Sequence, residues 1–170
     1  LEPFRACFQE GGSRSVMSSY NSIDGVPVSC NDRLLNQILK NEWGFDGYVV
    51  CDYGAVGLLK DGHFMAETHE DALAMSINSG LDLELMNTHE SILNLVKEGK
   101  ISEEIVNESV RRILKIKFEL GLFDNPFVDE KKAAEIVRCD EHKALAEEAA
   151  RKSMTLLKNN GILPLDVEKV

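Results

Sequence analysis

Apolar positions along the chain change their spacing several times, and each change marks an element. Residues 4 to 10 read as the tail of a helix that Gly11-Gly12 ends, as glycines after a helix do. Residues 15 to 20 read as a strand, and residues 21 to 30 as a loop punctuated by Asp24-Gly25 and Pro27. Asn31 is placed to cap a helix reaching about residue 42, with Leu34, Leu35, Ile38 and Leu39 on one face and Trp43-Gly44 as its stop. The run Tyr48-Val49-Val50-Cys51-Asp52-Tyr53 lacks alternation and lies between Gly47 and Gly54, which predicts a short parallel strand buried on both faces. A loop around residues 57 to 62 then leads into a helix over about 67 to 78. Residues 81 to 85 form a third strand, whose Asp82 and Glu84 alternate with leucines and so share one face, wet or lined with partners.

Two helices follow, over residues 88 to 98 and 102 to 120, stopped by Gly99 and Gly121. Ser102 is a good N-cap, and Glu103 and Glu104 suit the positive end of the helix dipole. Val106, Val110, Ile113, Lys117 and Leu120 make the expected packing stripe, with the lysine able to snorkel. Residues 121 to 139 read as a connection with one short helix. Asp140 caps a helix to about residue 157, Asn160-Gly161 turns the chain, and residues 162 to 165 are a short strand. Strands alternating with helices predict parallel α/β structure. Asp52 falls at the carboxyl end of its strand. Position alone allows two roles: a carboxylate in the mouth where parallel strands bind ligands, or a cap for the next helix.

Composition narrows the partners rather than the fold. A net charge of −10 argues against nucleic acid and against an anionic membrane surface, each of which calls for a basic patch. Cys7, Cys30, Cys51 and Cys139 lie far apart with no CxxC pair and read as reduced core thiols, which favours a cytoplasmic setting. No membrane-length apolar run or signal peptide is visible, and a start on Leu1-Glu2-Pro3 makes this chain an expected piece of something longer. His63, His69, His89 and His142 show no metal spacing and read as surface or loop residues; no metal and no cofactor is expected.

Linked motifs run along nearly the whole chain. Val16-Met17-Ser18-Ser19-Tyr20-Asn21, Asp24-Gly25-Val26-Pro27, Glu42-Trp43-Gly44-Phe45-Asp46-Gly47 and Cys51-Asp52-Tyr53-Gly54-Ala55 follow in order, and Ser79-Gly80-Leu81-Asp82-Leu83-Glu84 comes after them. Arg111-Arg112-Ile113-Leu114 through Glu119-Leu120-Gly121-Leu122-Phe123-Asp124, then Ala149-Ala150-Arg151-Lys152-Ser153, Leu156-Leu157-Lys158-Asn159-Asn160 and Leu163-Pro164-Leu165, complete the set. In this order and spacing the chain resembles glycoside hydrolase family 3, the β-glucosidases, β-xylosidases and related exo-acting enzymes.

The resemblance implies the C-terminal part of a (β/α)₈ TIM-type barrel over residues 1–125, a linker over 126–140 and the first elements of a second α/β sandwich domain over 141–170. A few strands do not close such a barrel, which typically takes about 250 residues, so exposed strand edges and self-association are expected. The implied activity is a retaining exo-acting glycoside hydrolase that removes terminal non-reducing β-D-glucosyl residues from a β-linked glucoside or oligosaccharide, this chain alone being incomplete and inactive. β-Xylosides, β-N-acetylglucosaminides or a non-catalytic sugar-binding role are the alternatives. Asp52 matches the family nucleophile, which stabilises or attacks an oxocarbenium-like centre. Strand alternation turns Cys51 to the opposite face, where a core thiol is unreactive. Met17 and Tyr20 match positions lining the sugar subsite, and Tyr53 stands where the family commonly has Trp, leaving the preferred sugar and aglycone open. Met17 also suits core packing. Asp82 and Glu84 read as a structural polar network, and Glu147 and Glu148 as solvent-facing. The family's basic sugar-gripping residues and its acid/base have no counterpart among these positions.

Overall fold

The computed structural model describes residues 1–86 and 89–168, with the side chain of His89 outside the described set. The chain divides into two units, Leu1–Asn125 and a second from Pro126 onward.

In the first unit, helix α1 (Glu2–Gln9) leads through Gly12, at φ +70°, into strand β1 (Ser15–Met17). Strand β4 (Tyr48–Val50) pairs with β1 in parallel, Val16 opposite Val49 and Met17 opposite Val50. The glycine before it is demanded by this pairing: a Cβ on Gly47 would lie 2.1 Å from the Arg14 carbonyl oxygen. The third expected strand contracts to a single parallel bridge, Val50 to Leu83, with the Cys51 amide donating to the Leu83 carbonyl at 3.0 Å. Beyond it the chain bends, and the Glu84 carboxylate accepts the Met86 amide at 2.6 Å.

Strand β4 is buried on one face rather than two. Val49 and Cys51 are 0% exposed, whereas Tyr48, Val50 and Asp52 are only half-buried. Alternation puts the first pair against helices and the second set, with Met17 of β1, on an uncovered face. A continuous apolar run announces burial but not which face lacks cover.

The region read as a loop from residue 21 holds a hairpin, β2 (Ser22–Ile23) with β3 (Val26–Pro27). Asp24 and Gly25 both have positive φ, 53° and 81°, the requirement of a tight two-residue hairpin turn. A short 3₁₀ turn (Val28–Cys30) precedes a helix over Arg33–Glu42 wound with π spacing, in which the Trp43 amide reaches back to the Ile38 carbonyl. Its cap is the expected one, since the Leu34 amide donates to Asn31 Oδ1 at 3.1 Å.

The expected loop over residues 57 to 62 is instead helix α2 (Ala55–Asp61), which buries Ala55, Val56 and Leu59 in spite of its internal Gly57. Helix α3 (His69–Asn78) starts on Thr68, whose hydroxyl accepts the Asp71 amide. Helix α4 (His89–Lys97) ends before Gly99, at φ +70°; its expected start at Thr88 lies outside the described residues. Helix α5 (Glu103–Glu119) is capped by Ser102, which accepts the Ile105 amide, and stops at Gly121. Its inward face differs from the expected stripe. Val106 and Ile113 of that stripe are half-buried, but Val110, Lys117 and Leu120 are exposed, and Ile105, Ser109, Arg112 and Ile116 turn in, Ser109 and Arg112 toward a buried carboxylate.

That carboxylate is Asp82, whose side chain is 3% exposed. Its Oδ2 accepts the Val49 amide of β4 at 2.8 Å and pairs with Lys40 Nζ at 2.9 Å, and its Oδ1 accepts the Ser109 hydroxyl at 3.0 Å. Arg112, on the same side, donates to the Gly47 carbonyl at 3.1 Å. Burial lowers the Lys40 pKa against the opposing pull of Asp82.

In the second unit, α6 (Glu130–Ile136) is capped by Asp129, and α7 (Asp140–Ser153) starts from Cys139, so that Asp140 is its first residue rather than its cap. Glu148 pairs with Lys152 at 2.5 Å one turn on, which suits a helix with no buried residue. Helix α7 ends at Ser153 instead of near residue 157, leaving Leu156 and Leu157 exposed. Residues 162 to 165 are not a strand: Asn159 Oδ1 takes the amides of Gly161 and Leu163 and closes a turn there. Of the cysteines, Cys30 and Cys51 are core thiols as expected, but Cys7 is exposed and Cys139 partly so. Among the described residues, no helix is long and apolar enough to cross a membrane.

Asp82→Ala strands the Lys40 ammonium and the Val49 amide without their acceptor, and is expected to cost about 3–5 kcal/mol of unfolding free energy. The urea midpoint checks this, and a loss below about 1 kcal/mol, the scale of an exposed pair, contradicts it.

Candidate active site

The parallel strands bring three separated segments together at their carboxyl ends. Asp52 follows β4 directly, its amide donating to the Ser18 carbonyl at 3.2 Å as the ladder runs out. Its Oδ1 accepts the amide of Tyr53 at 2.7 Å and its carbonyl accepts the amide of Ala55 at 3.0 Å. Gly54, at φ +73°, makes the turn into α2 possible. The carboxylate therefore has one oxygen anchored by backbone, and it stands on the uncovered face that also carries Val50 and Met17.

Tyr20 lies just past β1. Its hydroxyl donates to the Tyr53 carbonyl at 2.7 Å, tying the two strand ends together, and it sits against the Asp52 side chain. Partial burial, then the hydrogen bond and charge of Asp52, raise the phenol pKa above its ordinary value. At neutral pH it stays a donor. Met17 and Tyr53 at the same strand ends are 58% and 68% exposed. Below, the Ser18 and Ser29 hydroxyls, both buried, meet at 2.9 Å and pin the β1 end to the 3₁₀ turn.

The structure thus brings Asp52, Tyr20, Tyr53 and Met17 to one edge and keeps Asp82 apart from them, at the opposite end of the bridge strand with every oxygen engaged. A hollow of about 400 Å³ flanks Asp82, lined by Asn36, Lys40, Asn78, Glu108 and Arg112, but Lys40 and Arg112 are already paired with Asp82, and Glu108 with Arg111. Glu147 and Glu148 are exposed on α7, as expected. One residue escaped the sequence reading. His63 Nε2 lies 3.0 Å from the Tyr20 carbonyl oxygen, and a histidine in an irregular loop carries no periodic signal that could have announced it. Among the described residues, no group of three or more His, Cys, Asp or Glu is arranged to hold a metal ion.

Cys51 packs on the helix side of β4 and burial raises its thiol pKa, as it does that of Cys30. Both are expected to stay silent toward a disulfide titrant at pH 8 until the chain is unfolded, while exposed Cys7 reacts at once. Rapid labelling of Cys51 in the folded chain would contradict this placement.

Comparison with known proteins gives a consistent picture. The family model described as the glycosyl hydrolase family 3 N terminal domain matches residues 1–116. A putative beta-xylosidase of Formosa agariphila is 38% identical over 170 residues, covering 98% of this chain and 22% of its own length. A probable beta-glucosidase C of Aspergillus oryzae is 39% identical over 185 residues, covering 97% of this chain and 28% of its own. Among solved structures, a β-glucosidase from Erythrobacter marinus superposes with a TM-score of 0.83 at 41% identity, covering 96% of this chain and 22% of that one. The Listeria innocua β-glucosidase solved in complex with glucose gives 0.82 at 35%, covering 97% and 23%. The chain spans between a fifth and a third of the length of these relatives. The family model covers well over half of the chain, residues 1–116, and the chain belongs to glycosyl hydrolase family 3.

Proposed function

We propose that the protein carrying this chain is a retaining exo-β-glycosidase with Asp52 as nucleophile, acting on terminal non-reducing β-D-glucosyl residues. The reading rests on one observation above all. The Asp52 carboxylate ends a strand on its open face, held by the Tyr53 amide, with the Tyr20 phenol against it. In the first step an Asp52 oxygen bonds to the anomeric carbon as the bond to the aglycone oxygen breaks and that oxygen takes a proton from a general acid. In the second, water attacks the same carbon, gives up a proton and releases the carboxylate, with net retention. Tyr20, still protonated at neutral pH, donates its hydroxyl hydrogen bond to the Tyr53 carbonyl and so fastens the turn that carries the carboxylate. Tyr53 and Met17 supply the apolar wall of the sugar subsite.

In this reading residues 1–125 are the C-terminal part of a (β/α)₈ barrel, 126–140 a linker and 141–170 the start of a second α/β domain. The rest of the barrel covers the open face of β1 and β4, and the general acid and basic sugar-binding groups come from outside this chain, which is inactive by itself. A second reading, a β-xylosidase, is favoured by two relatives from Formosa agariphila, each 38% identical, that are a putative beta-xylosidase and a beta-xylosidase.

In the full-length protein, Asp52→Asn is expected to lower kcat on an aryl β-glucoside by roughly 10³-fold or more, as loss of a nucleophile does. A variant within tenfold of the parent contradicts the assignment. The ratio of kcat/KM on aryl β-glucoside to that on aryl β-xyloside separates the two readings, the leading one requiring a ratio above one.

A further inference from the structure

His63 stands outside the set that attacks or touches a sugar, yet it reaches the same strand ends. It follows α2 in a loop whose backbone is fastened to the core. The Gly62 and His63 amides donate to the Leu58 carbonyl at 2.9 and 2.7 Å, and the Met65 amide donates to the carbonyl of fully buried Leu59 at 2.7 Å. Between them Phe64 holds φ +55°, a left-handed conformation that bulky residues adopt only where their surroundings over-determine it. The loop is therefore set by its own hydrogen bonds, and it presents the half-buried His63 ring to a residue 43 positions earlier.

The atom it meets is the carbonyl oxygen of Tyr20, 3.0 Å from Nε2. A carbonyl only accepts, so Nε2 carries the hydrogen. Tyr20 is then held at both ends, its backbone by His63 and its hydroxyl by the Tyr53 carbonyl at 2.7 Å. The three segments that meet here are the turn after β1, the turn after β4 and the loop after α2. Without His63, Tyr20 itself keeps its hydroxyl bond to the Tyr53 carbonyl, while the flanking Ser18 and Asn21 carbonyls stay bound to the Asp52 and Val28 amides.

We infer that His63 is a positioning residue of the proposed glycosidase site: its Nε2–H clamps the Tyr20 backbone and thereby aims the phenol at Asp52. This inference rests on the reading of Asp52 as nucleophile. Because the clamp acts on the geometry around the reacting carboxylate rather than on sugar affinity, its loss falls on kcat and spares KM.

The test is made in the full-length protein with an aryl β-glycoside, comparing His63→Leu, His63→Gln, Tyr20→Phe and the double variant His63→Leu with Tyr20→Phe. Asp52→Asn is run alongside. His63→Leu is expected to lower kcat by roughly tenfold with KM within about twofold, the scale of one lost hydrogen bond of positioning. His63→Gln, which offers an N–H at similar reach, restores most of the loss. In the Tyr20→Phe background, His63→Leu costs little more, since the group it aims is gone. The inference is overturned if His63→Leu turns over like the parent, if Gln fails to rescue a well-folded enzyme, or if the two losses simply multiply. A dead Asp52→Asn with a fully active His63→Leu sinks the clamp alone. An active Asp52→Asn sinks the glycosidase reading and the clamp with it.

Discussion

The position of Asp52 depends on a different carboxylate, one that grips the strand three residues earlier, at Val49. Asp82 is almost wholly buried and accepts the amide of Val49, so that it fixes the strand Tyr48–Val50 from below. The same group gathers Lys40 from the π-helix and Ser109 from α5. An ion pair of this kind adds little net stability over an apolar replacement, but it is costly to break, which makes it a device for register. Register is what the site requires, because a one-residue slip of β4 would carry Asp52 to the helix side and bring Cys51 to the open face.

From that constraint the chemistry of the two strand ends follows. Parallel pairing of Met17 with Val50 sets the ends of β1 and β4 level, and the ladder extends just far enough for the Asp52 amide to reach Ser18. The positive φ of Gly54 then turns the chain away into α2, which leaves the Asp52 side chain at an edge instead of within a continuing strand. Tyr20 crosses from the other strand to the Tyr53 carbonyl. A carboxylate, a phenol with a raised pKa and an exposed aromatic ring thus converge without any of them lying in a regular element.

Much of this was legible in the sequence where local chemistry decides. Asn31 and Ser102 cap helices through their side chains as their types predict, and Gly99 and Gly121 end helices in the left-handed conformation that glycine favours. The strand ending on Asp52 was readable from its valines and flanking glycines. What could not be read depends on partners distant in sequence. Helix α2 was hidden because Gly54, Gly57 and Gly62 together look like a loop, although burial of Leu59 decides for a helix. The inward face of α5 was hidden because Ser109 and Arg112 are polar and are turned in only by Asp82 and the Gly47 carbonyl. The segment over residues 162 to 165 is apolar enough for a strand, yet without a partner strand Asn159 takes its amides into a turn. His63 was unreadable for the same reason, its partner being a backbone oxygen in another loop.

The central claim, that Asp52 is the nucleophile of a retaining glycosidase, is tested most directly by trapping. The full-length protein is incubated with a 2-deoxy-2-fluoro-β-glucosyl inactivator, which slows release of the glycosyl ester, and its peptides are read by mass spectrometry. The account predicts one added fluoroglucosyl group on the peptide containing Cys51-Asp52-Tyr53, located to Asp52 by fragmentation. A protein that hydrolyses the aryl β-glucoside but carries the label on another carboxylate would contradict it.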